Sequence, residues 1–200
     1  LGFDHISHSQ VSSKAQEKLI LSVGSLDVRK NQIRTVRAAH ALWKEGYNLK
    51  LIFAGNVGYK FKDYYPEIEG YLSQGFPMEI RTNLSDIEIH DLYERCHFTA
   101  FCSFAEGFGL PIVESVSHGK PCVVSALGSM REIADILGGC VQVNPSNQLE
   151  IKQAFKNLLD NETQYRSLIA EMKIENWPSW VQYSQELLAW VVRKPSERKT

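Results

Sequence analysis

The 200-residue sequence has no C-x-x-C pair, no internal repeat, no low-complexity segment and no long block of like charge. No apolar run approaches the ~18 residues of a membrane-spanning helix, and no signal peptide is visible. Each absence excludes something. A formal net charge of −1 leaves no electrostatic footprint for nucleic acid or for an anionic membrane. The four cysteines, Cys96, Cys102, Cys122 and Cys140, are scattered, and three lie in apolar runs. They read as buried structural thiols rather than a disulfide or zinc framework, which fits a reducing cytoplasm. The start at Leu1 rather than Met leads us to expect a domain excised from a longer chain.

With 44% hydrophobic and 22% charged residues, the chain has the balance of a globular domain large enough for a sizeable core. Residues 1–18 are polar and read as a lead-in or interdomain linker. Strand patterns follow at Leu19–Val23, Leu49–Ala54, Met78–Arg81, Phe98–Phe101, Pro121–Ser125 and Cys140–Val143. Between them lie helical patterns: Asn31–Lys44, a short one at Pro66–Leu72, one opened by the Ser85–Glu88 capping box, one beginning at Pro111, and one at Ser129–Leu137. Helices dominate from Gln148 to Val192, broken near Trp177-Pro178, and a charged tail, 193–200, is expected to fray. The reading is therefore a Rossmann-like domain over 19–176, a C-terminal helix over 177–192 and a flexible tail.

This alternation implies an α/β fold, a parallel sheet flanked by helices, whose ligands bind beyond the carboxyl ends of the strands. Three glycine-bearing loops follow apolar strands, at Gly24, at Gly55 with Gly58, and at Gly107 with Gly109, so they should share one edge. The richest segment is Glu106-Gly-Phe-Gly-Leu-Pro-Ile-Val-Glu114. Its glycines let backbone approach a ligand, and the helix opening at Pro111 turns its N–H groups toward the loop, a setting for phosphate. Glu114, expected in the first helical turn, and Glu106 would repel a phosphate unless they face sugar hydroxyls. That favours a nucleotide sugar. Upstream, Arg29-Lys30 follows Gly24 just before a helix, where two cations could meet a diphosphate. Each feature alone has a plain explanation, a tight turn, a macrodipole partner or a solvated charged turn; together they point to a site. His97 and His118 read as packing residues.

These segments, in this order, resemble glycosyltransferase family 4, retaining enzymes with two facing Rossmann-like domains (the GT-B fold). The Glu-x7-Glu signature stands as Glu106 and Glu114 in EGFGLPIVE, and GSLDVRKN (24–31) matches G-T-x-x-x-R-K-N, with Ser25 where Thr or Arg is usual. LIFAGNVGY (51–59) and SDIEIHDLYERCHFTAFCS (85–103) resemble the family's intervening segments. The resemblance covers about 19–190 and concerns the C-terminal, donor-binding half. It implies that Glu114 bonds ribose hydroxyls and Glu106 a donor-sugar hydroxyl. It implies that the amides of Phe108, Gly109 and Leu110 hold phosphate and sugar oxygens. Arg29 and Lys30 would stabilise the diphosphate, Gly24 would allow close approach, and the loop Arg81, Thr82, Asn83 and Leu84 would border the nucleobase.

The implied activity is transfer of a hexose from a nucleoside diphosphate sugar to a glycan or lipid-linked acceptor, with retention. The R-K-N form suggests mannose from GDP-mannose by family analogy. No D-x-D triplet occurs, so no metal and no cofactor beyond the donor substrate are expected. The expected partner is an N-terminal GT-B domain, with no nucleic acid, and the expected location is the cytoplasm or the cytoplasmic face of the inner membrane. Two other readings stand beside this one. One is a non-catalytic nucleotide-sugar module. The other is a dinucleotide-binding oxidoreductase, weakened because the third glycine of G-x-G-x-x-G would fall at Ile112.

Overall fold

The computed structural model describes residues 17–58, 60–173 and 180–192. Six strands form one fully parallel sheet: β1 (Lys18–Val23), β2 (Leu49–Ala54), β3 (Met78–Arg81), β4 (Phe98–Phe101), β5 (Cys122–Ser125) and β6 (Cys140–Val143). The helices are α1 (Gln32–Lys44), α2 (Tyr65–Ser73), α3 (Asp86–Arg95), α4 (Leu110–Ser117), α5 (Gly128–Leu137), α6 (Gln148–Asp160), α7 (Glu162–Ala170) and α8 (Trp180–Val192).

The strand order is β3-β2-β1-β4-β5-β6. It is the doubly wound order, in which the chain reverses direction across the sheet between β1 and β4. Alternation along the strands explains why both faces are covered. On β2, Leu49, Leu51 and Phe53 face a core shared with Val36, Leu42, Phe155 and Leu158 of α1 and α6. Ile52 and Ala54 face Leu92 and Tyr93 of α3 instead. On β5, Val123 joins the first core, whereas Cys122 and Val124 pack with Ile112, Val116 and Ile133 of α4 and α5. Strands so covered read as continuous apolar runs, which is why they were legible.

Local signals behave as the sequence suggests, with small shifts. Ser85 closes a full capping box with Glu88. Asn31 does not enter α1; it is left-handed at φ 60°, capping the short 3-10 turn Val28–Lys30. The helix expected from Pro111 begins at Leu110, so Glu114 lies past its first turn. The expected strand start at Pro121 moves to Cys122, because Pro121 serves the ladder only as an acceptor, for the Thr99 amide. β1 begins at Lys18, inside the expected lead-in; the rest of that lead-in up to residue 16, the break at Trp177-Pro178 and the tail lie outside the described residues. All four cysteines are free, three buried and Cys140 half-buried. Burial pushes their thiols up, Cys96 and Cys122 to about 12.

Candidate functional site

The reversal between β1 and β4 opens a crevice at the carboxyl edge of the sheet. Two loops meet there, 24–31 after β1 and 102–109 after β4, and Phe104 N–H donates to Arg29 O at 2.8 Å. Asn31 locks them together, its buried amide donating to Cys102 O and Pro145 O at 2.9 Å each. A side chain buried in that way has its left-handed backbone held by partners on both sides.

The third glycine loop joins the same edge. Gly24 N–H donates to Ala54 O and Leu26 N–H to Asn56 O, both at 2.9 Å. Gly55 cannot be anything larger: a Cβ there would sit 2.1 Å from Gly24 O. Asn56 reaches on to the fourth loop, where its side chain accepts from Asn83 N–H at 2.8 Å. The four loops at Gly24, Gly55, Arg81–Leu84 and Glu106–Gly109 thus form one rim, as the glycine positions anticipated.

At the centre of the crevice lies Glu106. Its side chain is only 8% exposed, and each oxygen meets a cation: Arg29 Nη1 at 2.8 Å from Oε2, Lys30 Nζ at 2.7 Å from Oε1. Arg29 also donates to Ala105 O at 2.7 Å, and Lys30 rests over the Phe101 ring. Burial by itself would raise the Glu106 carboxyl; the hydrogen bonds from Lys30 and Arg29 outweigh it and hold the group below the ordinary carboxylate range. Two cations thus meet one buried carboxylate, and a second carboxylate, Asp27, accepts from Arg29 N–H at 2.9 Å.

The start of α4 abuts this cluster. Gly109 caps it at φ 121°, and a Cβ there would crowd Ile112 and Ile133 at 3.3 and 3.4 Å. Amides at a helix start can form an anion site; here Pro111 has no N–H and Ile112 N–H donates to Gly109 O at 2.9 Å, so that role falls to the amides before Pro111. Phe108 and Leu110 are 46% and 49% exposed, leaving apolar surface at the mouth.

Glu114 has a partner of its own on α3. Its Oε2 accepts a 2.7 Å hydrogen bond from Tyr93 Oη, a side chain on α3 that is 1% exposed. Burial, then the carboxylate beside it, pushes the Tyr93 phenol far up, so it stays a donor. Sequence reasoning missed Tyr93: it reads as a core aromatic at helical spacing, and nothing local marks its hydroxyl. The fourth loop is placed at the rim, but the Arg81 side chain is turned back to Glu79 at 2.6 Å, in a group with Lys50. His97 packs as expected, stacked on Tyr165 with centroids 4.3 Å apart. A cavity of about 670 Å³ lined by Leu26, Phe61, Tyr65, Met78 and Ile80 shares no residue with the cluster.

The profile of the glycosyl transferases group 1 family matches residues 4–174. The chain belongs to that family. This glycosyltransferase domain is 26% identical over 133 residues to the serotype-specific mannosyltransferase WbdA of Escherichia coli, covering 66% of this chain and 16% of WbdA. It is 24% identical over 174 residues to the O-antigen chain mannosyltransferase RfbU of Salmonella typhimurium, covering 86% of this chain and 48% of RfbU. Among solved structures, Anabaena HepE in complex with UDP and glucose superposes with a TM-score of 0.71 at 19% identity, over 90% of this chain and 49% of HepE. WaaG, a glycosyltransferase involved in lipopolysaccharide biosynthesis, superposes at 0.68 with 18% identity, over 90% of this chain and 48% of WaaG. The fold is the Rossmann-like fold of GT-B glycosyltransferases. The glycosyltransferase domain spans about half the length of RfbU.

Proposed function

We propose that this domain binds the nucleoside diphosphate sugar of a retaining hexosyltransferase, as the C-terminal half of a two-domain enzyme. The observation that carries the reading is the convergence of Arg29 and Lys30 on Glu106, beside the N-terminal turn of α4, at the point where the sheet reverses. Transfer leaves negative charge on the departing diphosphate. Fixed cations and helix amides stabilise such charge without reorganising, and so stabilise the transition state. Glu106 would then exchange part of its ion pairing for a hydroxyl of the sugar, and Glu114, held by Tyr93, would accept from the ribose. With two cations present, the reading requires no divalent metal at the diphosphate.

Mannose from GDP-mannose is the proposed donor, supported by the relatives that are named mannosyltransferases. The acceptor, a glycan or lipid-linked glycan, would be held by a domain outside this chain. The test is calorimetric titration of GDP, guanosine and GDP-mannose, with UDP-glucose as comparison. Arg29→Ala/Lys30→Ala should weaken GDP far more than guanosine, because each charge-assisted bond lost is worth about 1.5–3 kcal/mol. Equal losses for both ligands would remove the cations from the diphosphate and end the reading. The domain alone should bind donor and transfer no sugar, since the residues assigned to the donor leave none to position an acceptor within the ~3–3.5 Å that reaction requires.

A further inference from the structure

A second cluster of chemistry-bearing side chains stands at the opposite end of α4. His90 and Glu94 lie four residues apart on α3, hence on one face of the helix. His118 is the C-cap of α4. One ligand atom from each of the three falls within 4.8 Å of the others. The two imidazoles meet directly, His118 Nε2 lying 2.8 Å from His90 Nδ1.

His118 is oriented for this from both sides. Its Nδ1 lies 2.7 Å from Glu114 O, an atom that can only accept, so the ring proton belongs on Nδ1 and the Nε2 lone pair is left facing His90. The ring also stacks on the buried Tyr93, with centroids 4.8 Å apart and planes 17° off parallel. A backbone carbonyl fixing the tautomer behind a histidine is the usual outer support of a metal-ligating imidazole. Glu94 pairs with no cation among the described residues. The nearby ammonium of Lys120 donates to the Glu94 main-chain oxygen at 2.8 Å, not to its carboxylate.

We infer that His90, Glu94 and His118 form a binding site for a divalent transition-metal ion, zinc by the chemistry of its donors, that clamps α3 to the end of α4. Two imidazoles and one carboxylate are a zinc donor set, and an open fourth position would be taken by water. Without the ion, the two histidines share the Nδ1 proton of His90. The ion takes that place while His90 moves its proton to Nε2, so the ring remains neutral and no co-reactant is needed. Tetrahedral coordination with Zn–N bonds of ~2.0–2.1 Å separates the two nitrogens by about 3.3 Å. That is half an ångström more than they show, a displacement the exposed His90 side chain can supply by rotating. The site is distinct from the Arg29–Lys30–Glu106 cluster and does not depend on the donor reading.

The test uses chelator-stripped protein titrated with Zn²⁺, and with Co²⁺ as a spectroscopic probe. His5 and His8 are changed to Gln throughout, to remove the histidine pair that is closest together in the sequence. The expected result is one ion per chain and a rise in Tm of about 5–10 °C at a hundredfold excess over Kd. Visible Co²⁺ absorption of tetrahedral intensity is also expected. His90→Gln, on the exposed face of α3, and separately His118→Gln, should each weaken Zn²⁺ by at least about tenfold and abolish the Co²⁺ band. Metal-free Tm measured alongside shows that the variants are folded. Failure of the parent protein to bind Zn²⁺, or retention of full affinity in folded His90→Gln, would overturn the inference.

Discussion

Replacing Glu106 by Gln removes the negative charge that Arg29 and Lys30 share while keeping the shape of the side chain. If those cations serve a diphosphate, the same change should act in opposite directions on binding and on transfer. Glu106 competes for both cations, at 2.8 and 2.7 Å. A diphosphate charge about 6 Å from the carboxylate would be repelled by about 3 kcal/mol at an effective dielectric of ~20. Arg29 is 44% exposed, so solvent and salt screen much of this, and about 1 kcal/mol should survive. The expectation is that Glu106→Gln tightens GDP by about three- to tenfold and leaves guanosine unchanged. In the complete enzyme turnover should fall by roughly ten- to a thousandfold, through loss of a positioned hydrogen bond to the transition state. Calorimetry at two salt concentrations measures the first effect, since the gain should shrink as salt rises; steady-state kinetics measures the second. Weaker GDP binding in a folded variant would refute the reasoning, for it would mean that Glu106 organises the cations rather than competes for them.

Tyr93→Phe keeps the ring on His118 but removes the 2.7 Å bond to Glu114. It should cost about 1.5–3 kcal/mol in denaturant unfolding and weaken guanosine and GDP by equal factors, whereas a fall in stability alone would deny Glu114 its ribose role. Gly55→Ala would drive a Cβ to 2.1 Å from Gly24 O and should lower stability by at least about 3 kcal/mol, read as a Tm loss of roughly 6–12 °C. Burial and then the charge of Lys18 lower the His97 pKa, so below about pH 6.5 the unfolded chain takes up a proton that the folded chain refuses. The stability tied to His97 is therefore complete above about pH 6.5 and lost as pH falls toward the lowered folded value; His97→Gln should flatten that part of the profile. The slope tied to His40, lowered by burial and then by the charge of Lys44, should remain. The loss tied to Glu106 should begin only below about pH 4.5.

What the sequence determined by itself was everything that acts over a few residues. Apolar runs closed by Gly24 and Gly55, the capping box at Ser85, and the glycines before α4 each carry their own local physics, and the strands and the helices up to α5 appear within a residue or two of their expected places. The same locality explains the slips, such as Asn31: helical spacing continues through it, but two carbonyls on distant loops draw its amide and turn its backbone left-handed. Only the tertiary structure decided which charges meet. Arg29 and Glu106 stand 77 residues apart and touch because β1 and β4 are neighbours in the sheet. Tyr93 reaches Glu114, and His90 reaches His118, because α3 and α4 cover the same face of the sheet. Sheet order and helix packing are settled by burial summed over the whole core, which is blind to where one hydroxyl or imidazole will land; the partners of Glu114 and His118 therefore left no mark in the sequence around them.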